Sequence, residues 1–66
     1  MFGGLHAYMV SQEISKTDPP FAALLFAAMR KADTMNMERL RIAFPDLCEE
    51  MERRYNAPGG RLEEDQ

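Results

Sequence analysis

The feature that most constrains this chain is a run of nine residues, 21–29, that contains no polar side chain. Asp18 before the run is a good N-cap residue, and Pro19 suits the first helical position, where the missing N–H would be unpaired anyway. The pattern predicts a short helix that ends near Asp33. Because this helix is apolar on every face, it must be buried on all sides.

The chain is too short to bury such a helix easily. It has 66 residues, enough for one domain whose core is marginal at this size. Cores in this size range rarely supply more than ~3–5 kcal/mol without a disulfide, a metal or oligomerisation. Cys48 is the only cysteine, so no internal disulfide can form. We therefore expect the chain to form a homo-oligomer.

Charge and hydropathy narrow the class of partner. The net charge is −3, whereas nucleic-acid-binding domains are usually basic, so nucleic acid is not an expected partner. The apolar run spans about 14 Å as a helix, too short to cross a bilayer core of about 30 Å. No export signal precedes it, and the single thiol fits a reducing compartment. We expect a cytoplasmic protein with no membrane segment.

The chain divides into three segments by composition. Residues 1–17 form an N-terminal segment, partly helical or flexible, in which Leu5, Tyr8 and Met9 follow helical spacing and are expected to pack on the central helix. Residues 18–57 form the helical core domain. Residues 58–66 follow a Pro-Gly-Gly stop and read as a flexible acidic tail.

The central helix carries the candidate binding surface. Its large residues at helical spacing form one apolar face, and alanines around Phe26 form a flatter second face that permits close approach of another helix. Aromatic and large aliphatic side chains dominate protein interfaces. The predicted interface, for a partner or for oligomerisation, is Phe21, Leu25, Phe26, Met29 and Phe44.

Two arrangements remain open for residues 36–56. Thr34 or Asn36 is expected to cap a helix, but Pro45 disfavours a helical conformation at Phe44 and removes a backbone donor. The segment is therefore either one kinked helix or two helices. Asp46, in the first turn after Pro45, favours two helices.

The second half of this segment predicts one apolar seam and one helix end. Leu47, Cys48, Met51 and Tyr55 form the seam, and Asn56 can take the left-handed cap. No strand pattern is present. The sequence thus predicts an all-α protein of three or four short helices in a compact helical bundle, completed by oligomerisation.

No arrangement of residues indicates catalysis. Cys48 lies on the apolar seam, where a free cysteine behaves as a small hydrophobe. His6 is the only histidine, and metal sites in helical bundles need ligands converging from several helices. The glutamates of 49–52 are best read as a solvated charged face. We expect no enzymatic activity, no metal and no cofactor.

One cluster suits an anionic ligand. Arg53 and Arg54 precede Tyr55, and guanidinium groups beside an aromatic ring can bind phosphate and stack on a base. Basic residues in the last turn of a helix are also expected from the helix dipole alone.

Four strings carry a resemblance to other proteins: DPPF at 18–21, AAMRKADT at 27–34, AFP at 43–45 and RYNAPGG at 54–60. Together they resemble small helical proteins encoded by phages and prophages of Gram-positive bacteria. The resemblance covers residues 18–60, and no functional residue is carried over from that group. It implies a bacterial host and a small acidic protein that binds a host protein as an inhibitor or adaptor, including components of antiviral defence.

Two hypotheses for the function follow. The first is a non-enzymatic helical interaction module that binds a host or phage protein. The alternative is an oligomeric binder that sequesters an anionic small ligand, such as a nucleotide signal, at Arg53, Arg54 and Tyr55.

Overall fold

The computed structural model describes residues 2–65, and all regular secondary structure within them is helical. The prediction of an all-α protein with three or four short helices is confirmed. The α-helices are α1 (Gly4–Ser15), α2 (Phe21–Lys31), α3 (Thr34–Ala43) and α4 (Pro45–Tyr55), followed by 3-10 turns at Pro58–Gly60 and Glu63–Asp65. None of these helices combines the length and the apolar character that a membrane span requires.

The start of α2 differs from the prediction at Asp18. Asp18 has a φ of 48°, and the residue that precedes α2 is Pro20, in an extended conformation with ψ of 148°. A proline disfavours the helical conformation in the residue before it, so Pro20 keeps Pro19 out of the helix. The assignment of Asp18 as N-cap was therefore wrong, and the helix begins only after the second proline.

The turn between α2 and α3 is set by Asp33. Ala32 is extended, with ψ of 135°, and Asp33 is the N-cap of α3. Its carboxylate accepts a hydrogen bond from the backbone N–H of Asn36 at 2.8 Å. Thr34 and Asn36 were predicted as caps, but both lie inside the helix because Asp33 has the extended conformation that an N-cap needs.

Pro45 divides the next segment into two helices, as Asp46 indicated. Phe44 has φ −135° and ψ 64°, outside the helical region, and ends α3. Pro45 then begins α4, with Asp46 in its first turn. The backbone N–H of Cys48 donates to the carbonyl of Phe44 at 3.0 Å, so α4 starts immediately after the break.

The end of α4 does not use Asn56 as a left-handed cap. Asn56 has φ −90° and ψ −1°, and its side chain donates to the carbonyl of Glu52 at 2.9 Å. Ala57 is extended because Pro58 follows it, and this already stops the helix. The chain reverses at Gly59 and Gly60, whose φ values of 61° and 70° favour glycine.

The interior is very small. Among residues 2–65, the buried side chains are Met29 in α2 and Cys48 in α4, at 7% and 3% exposed. The rings of Phe21 and Phe44 meet edge to face at 6.1 Å and join α2 to the α3–α4 corner. Tyr55, predicted on the seam, is 79% exposed, because the seam is covered only near its Cys48 end.

The helix α1 is not covered by the rest of the chain. Leu5, Tyr8 and Met9, expected to pack on the central helix, are 72%, 63% and 56% exposed. None of the residues of α1 is buried. The expected packing was wrong because the segment with Asp18 and two prolines turns the chain away from α2 instead of back along it.

The molecule is extended for its length. Its radius of gyration is 13.6 Å, whereas a compact chain of this length has about 11 Å. It exposes 5810 Å², whereas a folded monomer of 7.6 kDa exposes about 4,300 Å². The compact bundle that the sequence predicts is thus not confirmed for a single copy.

Removal of the α3 cap should lower stability. We expect Asp33→Ala to reduce the free energy of unfolding by about 1 kcal/mol, since the N–H of Asn36 loses its acceptor. Urea unfolding followed by circular dichroism, at one fixed protein concentration, measures this change. Asp33→Asn is the matched control, because asparagine caps equally well. An equal loss in both variants would contradict the capping role.

Candidate functional site

The five residues predicted as an interface do not lie on one exposed surface. Met29 is in the interior of the chain, and Leu25, Phe26 and Phe44 are half-buried. Phe21 is 67% exposed even though its ring touches Phe44. Within a single copy, the contact between Phe21 and Phe44 joins α2 to the start of α4, and among the five only Phe21 keeps a large accessible surface.

The large exposed apolar surface lies mainly on α1. The side chains that form it are all more than two-fifths exposed; they are Leu5, Tyr8, Met9, Val10 and Ile14. On α2, Leu24 continues the exposed face next to Phe21. Of the residues on α1, the sequence analysis named Leu5, Tyr8 and Met9. Ala7, Val10 and Ile14 also follow helical spacing, and this signal could have identified them.

The candidate anion-binding arginines are engaged within the chain. Arg54 donates from Nη1 and Nη2 to both carboxylate oxygens of Asp65, at 2.7 and 2.9 Å, and from Nε to Glu50 at 2.7 Å. It also donates to the carbonyl of Gly60 at 2.8 Å. Four of the five guanidinium N–H groups are thereby satisfied. Arg54 fastens the chain after the Pro-Gly-Gly stop onto α4.

A second ion pair strengthens this attachment. Arg53 donates from Nη2 to Glu64 at 2.7 and 2.9 Å. Hydrogen bonds from Arg54 and from the N–H of Leu62 hold the pKa of Asp65 far below its ordinary value, and the bond from Arg53 lowers the pKa of Glu64. Hydrogen bonds to Asp65 and Glu50 raise the pKa of Arg54 further. The guanidinium groups of both arginines thus already bind carboxylates of the chain's own tail, Glu64 and Asp65.

The surroundings of these arginines are acidic. A cavity of about 360 Å³ beside them is also lined by Asp46, Glu49 and Glu50, in addition to the two tail carboxylates. Five carboxylates therefore face two guanidinium groups. An external anion would meet net negative charge here. Tyr55 lines a different cavity, together with Phe26, Arg30 and Arg54. The structure thus brings Arg54 and Tyr55 to one cavity, and Arg53 lies outside it.

A different cavity carries positive charge. It lies between α2 and α3, has a volume of about 520 Å³ and places Lys31 and Arg39 on its wall. Its full lining is Phe2, Ala28, Lys31, Ala32, Asn36, Arg39, Leu40 and Ala43. No carboxylate belongs to this lining, although the whole chain is acidic. Arg39 donates to the side chain of Asn36 at 3.4 Å, a long contact that leaves most of its guanidinium N–H groups available.

The residues considered for catalysis or metal binding are apart from these surfaces. Cys48 is buried in α4, where an external substrate cannot reach its thiol. His6 lies on the exposed helix α1. Within the described part of the chain, no group of three or more potential metal ligands converges.

The attachment of the tail should depend on pH. Since hydrogen bonding lowers the pKa values of Asp65 and Glu64, their contacts are complete above about pH 4, the ordinary carboxyl range. The contacts are lost as the pH falls through the lowered values. The amide resonance of Leu62, which donates to Asp65 at 2.9 Å, should move with that loss.

Nuclear magnetic resonance titration of the amide of Leu62 checks this expectation. In Asp65→Asn the low-pH transition should disappear. Asp46→Asn, which removes a nearby carboxylate that makes no tail contact, is the control. A Leu62 transition at the ordinary carboxyl pKa would contradict the role of the arginines.

The geometry leaves two surfaces with unused binding capacity. One is the apolar surface of α1 and the start of α2, and the other is the cationic cavity between α2 and α3. The arginine cluster of α4 is internally neutralised. Comparison with models of known protein families, with curated proteins and with solved structures finds no match for this chain.

Proposed function

We propose that this protein is a non-enzymatic helical interaction module that self-associates and binds a protein partner through apolar helix surface. The observation that carries the proposal is the excess of exposed surface. The chain exposes about 1,500 Å² more than a folded monomer of its mass. Large apolar side chains make up much of this surface on α1, and exposed apolar patches of a few hundred Å² commonly mark partner contacts.

The small interior supports the same proposal. Two buried side chains among residues 2–65 cannot offset the conformational entropy that four ordered helices lose. A second copy or another protein that covers α1 and α2 would add the missing burial at about 25 cal/mol per Å² of apolar surface. Self-association therefore serves stability first, and partner binding uses the apolar surface that remains.

The resemblance to phage and prophage proteins gives the proposal a biological setting. It implies a bacterial host, and the proposed partner is then a host or phage protein in the cytoplasm of that host. Inhibition of a defence component is the form of this activity that the resemblance implies. The half-buried Leu25 and Phe26 would be anchors in that contact if α2 repacks on binding.

Self-association should be measurable directly. We expect size exclusion with light scattering to give at least twice the monomer mass of 7.6 kDa across a dilution series. Leu24→Asp should lower the mass, because an unpaired carboxylate would be buried in the apolar contact. Thr34→Asp adds the same charge at an exposed polar site on α3 and should leave the mass unchanged. A monomer at every concentration would refute self-association.

The cationic cavity favours a second candidate function, the binding of an anionic small ligand such as a nucleotide. The volume of about 520 Å³ falls within the range of small-molecule sites, about 300–1,000 Å³. Lys31 and Arg39 would bind a phosphate, and Leu40 with the neighbouring alanines would contact an apolar ring. In this proposal the anionic ligand of the alternative hypothesis binds on α2 and α3 instead of at Arg53 and Arg54.

Calorimetry with a panel of linear and cyclic nucleotides tests this second candidate. Binding should weaken with added salt and fall at least tenfold in the double variant Lys31→Ala, Arg39→Ala, because two charged hydrogen bonds are lost. The double variant Lys16→Ala, Arg61→Ala removes the same charge away from the cavity and should bind normally. If binding is lost instead in the double variant Arg53→Ala, Arg54→Ala, the nucleotide binds at α4. No heat with any nucleotide would refute the candidate.

A further inference from the structure

The link between α1 and α2 holds the two helices apart. The chain leaves α1 through backbone hydrogen bonds from Thr17 to Ile14 and from Asp18 to Ser15, at 3.1 and 3.0 Å. Asp18 then takes a positive φ of 48°, and Pro19 and Pro20 follow. Each proline ring fixes a φ angle. A link of this kind is stiff, so α1 does not fold back onto α2 of its own chain.

The helix α1 lacks support of its own. It has 12 residues, no side-chain hydrogen bond at its N-cap, no acidic residue in its first turn and no basic residue in its last turn. Isolated helices of fewer than about 12–15 residues are marginal in water. Its stability therefore requires contact with another surface, and the stiff link prevents its own α2 from supplying that surface.

Two apolar stripes run along opposite sides of α1. At 100° per residue, Leu5, Tyr8 and Met9 form one stripe. The second stripe, on the other side of the helix, is Ala7, Val10 and Ile14. All six side chains are exposed. A helix with two such stripes is suited to lie between two neighbours.

A matching surface lies exposed on α2. Phe21 and Leu24 project from it, and the exposed Ala23 and Ala27 allow the backbone of another helix to come close. This part of α2 carries no charge before Arg30. A helix that packs there would bury no unpaired charge of α2.

The charges of α1 do not oppose the contact. Glu13 pairs with Lys16 at 2.9 Å on the same helix. Residues 1–35 contain three acidic and three basic residues, so two copies do not repel each other through this half of the chain. The acidic excess lies in residues 36–66.

We propose that α1 is an exchanged arm, in which the stripe of Leu5, Tyr8 and Met9 packs on α2 of a second copy. The inference rests on the proposed self-association and names the helices that make it. Each copy supplies both an arm and an acceptor, so a reciprocal exchange closes as a symmetric dimer. The second stripe of α1 stays available for a further contact.

The exposed area agrees with this arrangement. A standard interface removes about 800 Å² from each partner, so the excess of about 1,500 Å² equals nearly two such contacts per copy. In a reciprocal dimer each copy makes two equivalent contacts, one as arm and one as acceptor.

The first test is the effect of a charge placed in the stripe. In Met9→Asp the dimer should dissociate at a protein concentration at least tenfold higher, as measured by light scattering over a dilution series, because an unpaired carboxylate is buried. The matched control is His6→Asp, which adds the same charge on the polar side of α1 and should leave dissociation unchanged. Equal effects of the two substitutions would overturn the proposal.

The second test asks whether α1 contacts its own α2 or that of a second copy. One variant carries Met9→Cys and another carries Ala27→Cys, and the mixture is treated with a short bismaleimide. Because Cys48 is buried, the wild-type chain serves as the control for background cross-linking. The proposal predicts covalent dimers containing one chain of each kind.

The other outcomes distinguish failure of the exchanged-arm proposal from failure of the self-association proposal. A chain with both substitutions that cross-links only within itself would show that α1 folds onto its own α2, and this overturns the proposal. Absence of cross-linking in an assembled protein would overturn the arm and leave self-association standing. A wild-type protein that is monomeric at every concentration would refute both.

Discussion

Burial of apolar surface is the constraint on which the rest of this structure depends. In α2, nine successive apolar residues require cover on all sides, and α3 and α4 supply it on one side, around Met29. The edge-to-face contact of Phe21 and Phe44 holds that side together. The apolar surface outside this covered side of α2 stays exposed, including that of α1. The self-association proposed above would cover part of this exposed surface.

Charge is distributed unevenly along the chain. The first half is neutral and carries most of the large exposed apolar side chains, whereas the acidic excess lies from α3 onward, where Ile42 and Tyr55 are also exposed. In the proposed self-association, copies would approach through the first half without net repulsion. Within that acidic half, Arg53 and Arg54 bind the chain's own Glu64 and Asp65. Their charge is therefore used for internal structure, while Lys31 and Arg39 remain beside a cavity.

Prolines determine the path of the chain more than any other residue type. Pro45 separates α3 from α4, and Pro58 ends α4 before the glycine reversal. Pro19 and Pro20 delay the start of α2 and direct α1 away from it. Because proline acts on the residue before it as well as on itself, each effect extends one position toward the N-terminus. Pro20 thereby excludes Pro19 from α2, and for this reason Asp18 is not the N-cap that the sequence predicts.

The sequence by itself determined the all-α class and the burial of Cys48, and it favoured two helices over one kinked helix at Pro45, because these follow from local periodicity and backbone sterics. It did not determine which charges meet: Arg54 pairs with Asp65, eleven residues away, and this depends on the reversal at Gly59 and Gly60. Nor did it determine the exposure of α1 or the cationic cavity of Lys31 and Arg39. Both depend on the relative placement of helices, which the links between them decide and which local patterns do not encode.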